Sequence, residues 1–243
     1  MVRRKTILTM TKNELIFTVF EKLKIQSDDT NLSEELVSSL LDTKRALLLK
    51  QQYSAKPWHL PREVKQELCM TLKLVDSVNG YKCAGRILQT HDALPGSIKI
   101  KGKEGPILVR KEDNSVIAIN VVSTERIPFL FANKFTAMLT YAAVDYDGKL
   151  VLLSGDNKLN FLTQVKVTDV FEAPELAMEY ECKQTNPNAD VWDLEYPIEV
   201  AMVDTIINMV VQDLSRTLSI PTDEQNNATD DRGQQAVQQP RRR

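Results

Sequence analysis

The sequence predicts an α+β protein: N-terminal and C-terminal helices form a helical bundle, a β-rich insertion of hairpin or sandwich-like type interrupts them, and an extended polar tail follows. Three observations carry this expectation. Apolar residues recur at helical spacing in the first quarter of the chain and again after Tyr196. Between Val75 and Val170, short apolar runs of strand length alternate with Gly, Pro, Asn and Asp. Beyond Pro221 the apolar residues are Ala228, Ala236 and Val237, too few to offset the ordering entropy of that segment alone. The expected divisions are a flexible extension at 1–9, a helical part at 10–74, the β-rich insertion at 75–171, a helical part completing the bundle at 172–221, and the tail at 222–243.

The first helix opens on Thr11 and Glu14, a capping-box spacing, and continues with Leu15, Ile16, Val19, Phe20 and Leu23 on one face. Polar residues from Gln26 to Asn31 break it. A second helix is expected from about Leu32 to Tyr53, with Leu36, Val37, Leu40, Leu41, Leu47 and Leu48 in one apolar stripe. Its acids, Glu34 and Glu35, come early and its bases, Lys44, Arg45 and Lys50, come late, as the helix dipole favours. Pro61 suits the first position of a third helix running through Leu72.

In the β-rich part, Tyr146-Asp-Gly-Lys149 lies between two apolar runs, and Asp-Gly tolerates the positive φ of a tight hairpin. A second hairpin is expected around Lys111 to Asn114. Gln164 to Thr168 alternates valine with polar residues, as a strand with one buried face does. Pro174 starts a short helix through about Tyr180. The last helix is expected to start at Tyr196-Pro-Ile-Glu199, with Pro197 at its first position, and to stop before Pro221. Val200 and Met209 widen its apolar face, so it should pack between several neighbours.

The chain has 243 residues, 42% of them apolar and 26% charged, which is ordinary for a folded globular protein with a sizeable core. A formal charge of -2 gives no global pull toward nucleic acid or an anionic membrane. The local basic patches are Arg3, Arg4 and Lys5 at one end and Arg241, Arg242 and Arg243 at the other. They read as solvated termini or partner contacts, with a nucleic-acid-binding accessory role as the alternative. Cys69, Cys83 and Cys182 are odd in number and widely spaced, so reduced thiols and synthesis in a cytoplasm are expected. Ile7 to Met10 is too short for a signal-peptide core, and no run approaches the roughly 20 apolar residues of a membrane helix.

The search for chemistry yields little. His59 and His91 each stand outside any metal-binding or general-base motif, and Gly96, Gly102 and Gly105 form no phosphate-cradling fingerprint. Ser154-Gly155 is not a nucleophile elbow. Glu34-Glu35 serves a helix start, Asp230-Asp231 lies in the tail, and Asn227-Ala-Thr229 is an accidental glycosylation match. Trp58 and Trp192 sit beside expected helix starts as packing or interface anchors. No catalytic residue, cofactor or metal is therefore expected. An enzyme built on His59 or His91 would require a pocket joining one of them to buried carboxylates. The candidate interface residues are Trp58, Trp192, Val200, Met209, Pro221, Asn226, Asn227, Arg241, Arg242 and Arg243.

Several segments, in order, carry a resemblance. They are Met10-Thr-Lys-Asn-Glu-Leu-Ile16, Lys44-Arg-Ala-Leu-Leu-Leu-Lys-Gln51, and Leu60-Pro-Arg-Glu-Val-Lys-Gln-Glu-Leu-Cys69. Ile127-Pro-Phe129, Asn133-Lys-Phe135, Tyr146-Asp-Gly-Lys-Leu150 and Val170-Phe-Glu-Ala-Pro-Glu-Leu-Ala177 follow. Tyr196-Pro-Ile-Glu199 with its helix and the Asn-rich exit from Pro221 to Ala228 complete the set. From Met10 to Asp231 the chain resembles the head-to-tail ring, or adaptor, proteins of crAss-like bacteriophages. The basic start and the Gln-rich, Arg-ended tail depart from that pattern.

The resemblance implies a virion structural protein, made in the host cytoplasm and placed at the portal–tail junction, with no enzymatic activity and no membrane contact. It implies a homo-oligomeric ring of twelve copies that binds portal and other tail or ring proteins and passes DNA non-specifically through its lumen. Such a ring needs a head-to-tail interface rather than a reactive pocket.

Overall fold

Thr11 and Glu14 close a reciprocal cap: the Thr11 amide donates to Glu14 Oε2 at 2.9 Å and the Glu14 amide to Thr11 Oγ1 at 3.2 Å. Helix α1, Lys12–Lys24, grows from that cap, and α2, Glu34–Tyr53, grows from Ser33, whose side chain accepts from the Leu36 amide. In this computed structural model the described residues are 10–24, 32–54, 60–77, 87–99, 105–111, 118–155, 159, 162–180, 182 and 190–217.

The expected third helix is replaced by a strand. Arg62–Val64 makes one tight turn, and β1 then runs from Gln66 to Val75. Gln66, Leu68 and Met70 point inward while Glu67 and Thr71 point out, a period of two that overrides the helix-favouring Glu, Lys and Gln content. Among the described residues six further strands follow: β2 Ile87–Thr90, β3 Leu108–Lys111, β4 Ala118–Val121, β5 Thr140–Val144, β6 Leu150–Ser154 and β7 Gln164–Asp169.

These strands close a barrel in the order β1-β2-β6-β5-β4-β3-β7. This overturns the expected helical bundle with a hairpin or sandwich-like insertion: the β-sheet is a closed body of its own. Closure also removes free sheet edges, which a sandwich would have to protect. β1 makes it possible by its length: its first half pairs with β7, Gln66 opposite Asp169, and its second half with β2, Val75 opposite Ile87.

Both hairpin pairings expected from the sequence form. β5 and β6 pair antiparallel across a turn where Gly148 takes φ +74°, and β3 pairs with β4, although residues 112–117 between them lie outside the described residues. β4 and β5 run parallel and therefore need a crossover. It contains α3, Ile127–Ala132, whose Ile127 packs with Ile87, Ala143, Val151 and Leu153 on the outer face of the sheet. The barrel interior is filled by Leu68, Met70, Leu88, Val109, Ile119, Ala142, Leu150, Leu152, Val165 and Val167.

After β7 come α4, Pro174–Met178, and α5, Val200–Thr217. α5 starts three residues later than Pro197, because Tyr196 to Ile198 are committed elsewhere: the Tyr196 amide donates to Met10 O, and Tyr196 and Ile198 are buried. Helices α1, α2 and α5 pack against one another. Their shared core includes Leu60, Val64, Ile98 and Val170, residues that enter β1, follow β2 and leave β7. The helices thus sit at the barrel end where β1 begins and β7 ends.

The expectation of reduced thiols also fails in part. Cys69 and Cys182 are joined by a disulfide with their Cα atoms 4.7 Å apart. The fold brings them together by docking the segment after α4 on β1, where the Cys69 amide donates to Tyr180 O at 2.8 Å. Nothing in a separation of 113 residues announces that meeting.

Candidate interaction surface

Two constellations stand out, one buried and one bare. The buried one gathers around Asp42 on α2. Lys12, 2% exposed, donates to Asp42 Oδ2 at 2.8 Å and also to Glu175 on α4. The Tyr196 hydroxyl donates to Asp42 Oδ1 at 2.7 Å. Arg45, fully buried, donates through Nε to Pro197 O at 2.7 Å and through Nη1 to Phe171 O at 2.8 Å. Its guanidinium lies 5.6 Å from the centre of the Tyr196 ring.

Burial lowers the pKa of Arg45 despite Tyr196 and Asp42, and burial raises that of Tyr196, so the phenol stays a neutral donor. Both Asp42 oxygens are taken, and the polar groups face one another rather than a cleft. This cluster clamps α1, α2, α4 and the 196–198 segment to the barrel exit at Phe171, which is a structural task.

The bare constellation is the second half of the β4–β5 crossover. Phe129, Phe135, Met138 and Leu139 are 76%, 78%, 60% and 44% exposed, and they fall within residues 129–139. The segment that carries them is nevertheless tightly held. Thr136 Oγ1 donates to Leu130 O at 2.5 Å, Tyr141 OH to Thr136 O at 3.0 Å, and the Phe131 and Tyr141 rings meet edge to face at 6.1 Å. Gly155 supports it from just beyond β6: a Cβ there would stand 2.0 Å from Ala137 O, so glycine permits a backbone approach that no other residue allows. Lys134 lies 5.0 Å from the centre of the Phe135 ring.

Large apolar side chains left in water on a tightly held backbone have the character of a contact surface. The polypeptide signal for it is Ile127-Pro-Phe-Leu-Phe131 with Asn133-Lys-Phe135, an apolar run that a crossover exposed to solvent does not need. Those residues were legible as family-like segments but not as an interface.

The residues singled out from sequence are dispersed. Trp192 is half-buried against the helical core, Met209 is half-buried on α5, and Val200 is 52% exposed at the α5 start, so the broad face expected of that helix is not fully covered within the chain. Trp58, Pro221, Asn226, Asn227, Arg241, Arg242 and Arg243 lie outside the described residues, as does His59. His91 is exposed, 3.6 Å from exposed Asp92, and meets no buried acid there. Among the described residues no group of three His, Cys, Asp or Glu side chains gathers to hold a metal ion, and no helix is long and apolar enough to cross a membrane.

A closed barrel capped by helices, with its buried charged cluster clamping elements together and an apolar loop presented outside, has the makings of an assembly subunit. The chain belongs to the phage tail ring protein 2 family, whose model matches residues 14–232. It is similar to Ring protein 2 of Bacteroides phage crAss001, with 33% identity over 224 residues that cover 91% of this chain and 98% of that protein. Membership makes it a structural virion protein of a bacteriophage tail ring.

Proposed function

We propose that the chain is the repeating subunit of a ring in the portal–tail connector, present in twelve copies, with the genome passing through its lumen. The observation that carries this reading is the crossover loop: its backbone is locked by Gly155 and Tyr141, while Phe129, Phe135 and Met138 remain bare. A subunit that meets its neighbours in a fixed orientation needs such a surface, and a ring needs a contact that repeats head to tail until it closes. The small net charge of -2 is compatible with a lumen that lets DNA slide without gripping it. Portal and adjoining ring or tail proteins would then meet the two faces of the ring.

Cryo-electron microscopy of purified virions, with each density assigned to its chain, tests the proposal. The expected result is twelve copies around the tail axis next to the portal. Absence of the chain from particles, by mass spectrometry, or a location away from the portal–tail axis overturns it.

A further inference from the structure

The loop that carries Phe135 and Met138 has a counterpart on the same chain. β5 begins beside this loop at Thr140, which pairs with Ser154 at the end of β6. Four residues on, or about 13 Å of strand, β5 ends at Val144, beside the Gly148 turn. There, at the helical end of the barrel, a cavity of about 550 Å³ opens between Leu94, Pro95, Ile98, Ile107 and Val144. Knob and cavity therefore lie at opposite ends of the barrel, and a knob cannot reach the cavity of its own chain.

One pair of opposite charges flanks the two features. Lys134 stacks beside Phe135 at the knob. At the cavity rim the exposed Glu172 carboxylate lies 3.3 Å from where a Cβ on Gly96 would stand, and Gly96 lines the cavity. Lys99, of the same sign as Lys134, also lines the cavity and favours an approach of Lys134 from the Glu172 side.

We infer that Phe135 and Met138 of one copy seat in the Leu94–Val144 cavity of the next copy, with Lys134 beside the neighbour's Glu172 side. This deepens the ring reading and rests on it. Two different patches on one chain, an apolar projection and an apolar recess, make a heterologous contact, the type that propagates around a ring. An exposed Phe and Met inserting into an apolar recess concentrate the contact energy in a few side chains.

The test has two arms. Assembled particles are treated with a carbodiimide, which joins an amine and a carboxylate directly as an amide with loss of one water and adds no spacer. The expected product is a peptide linking Lys134 to Glu172, which two opposite barrel ends of one chain cannot form. A Lys134 linked to a different virion protein, or no Lys134–Glu172 link in particles that contain the chain, overturns the inference.

In the second arm, self-association of the full-length chain is measured by analytical ultracentrifugation. Phe135→Asp and Met138→Asp are each expected to weaken it at least about 10-fold, with the circular dichroism of the monomer unchanged. Association that is unaffected by both overturns the inference and leaves the ring reading standing. Absence of the chain from virions removes the ring reading itself. If the isolated chain remains monomeric, the crosslink in particles decides alone.

Discussion

Asp42 holds two partners at once, the Lys12 ammonium and the Tyr196 hydroxyl, with the buried Arg45 guanidinium on the next turn of its helix. Removing one charge from a buried cluster leaves its partner desolvated and uncompensated, which costs more than the pair contributes. Asp42→Asn is therefore expected to lower stability by about 3 kcal/mol, read from the urea midpoint. Lys12→Met in the same chain should recover part of that loss, so the double variant falls by less than the sum of the singles. Additive losses would mean that Lys12 and Asp42 do not act together.

Tyr53 makes a second argument at this scale. Burial first, then its hydrogen bond to Glu199 at 2.8 Å, raises its pKa from 10.0 to about 12. The folded chain thus keeps this proton longer than the unfolded one. Its contribution is complete below pH 10 and lost as the pH rises from 10 toward 12. The expected outcome is that Tyr53→Phe is less sensitive than the parent to alkali across that window, with Tyr196, shifted in the same direction, supplying the remaining slope. Equal slopes for parent and variant in urea melts at successive pH values would refute it.

At the scale of elements, the α1 cap isolates a local effect. Thr11→Ala removes the acceptor for the Glu14 amide, and a loss of about 1 kcal/mol is expected from chemical denaturation. A loss within error would show that the Thr11–Glu195 bridge alone fixes the helix start. That cap was legible because its chemistry lies within four residues, and the same holds for the Gly148 turn and the alternating valines of β7.

β1 was missed for the opposite reason. Its period of two, Leu68, Met70, Leu72 and Leu74, was present in the sequence, but Pro61 and the Glu, Lys and Gln around it match a helix start. The barrel decided the outcome, since β1 must reach both β7 and β2 to close it. The α5 start was misplaced because Arg45, 152 residues away, needs the Pro197 carbonyl. The exposed loop escaped notice because exposure depends on what the fold leaves uncovered, which composition does not reveal.

At the scale of the molecule, the helices and the barrel share one apolar core through Leu60, Val64, Ile98 and Val170. Arg45 ties the same junction by donating to both of its ends, to Phe171 O beyond β7 and to Pro197 O before α5. The Cys69–Cys182 disulfide adds a covalent tie whose loop of 113 residues encloses β2 to β7. Such a link restricts the unfolded chain far more than the folded one, so reduction should lower stability by about 2–4 kcal/mol without changing the fold. The chain has three cysteines, which makes the tie countable. Alkylation of the denatured chain without reductant should modify Cys83 alone, and after reduction all three. Three alkylations without reductant would place both thiols in the free state, and the urea midpoint should then be indifferent to reducing agent.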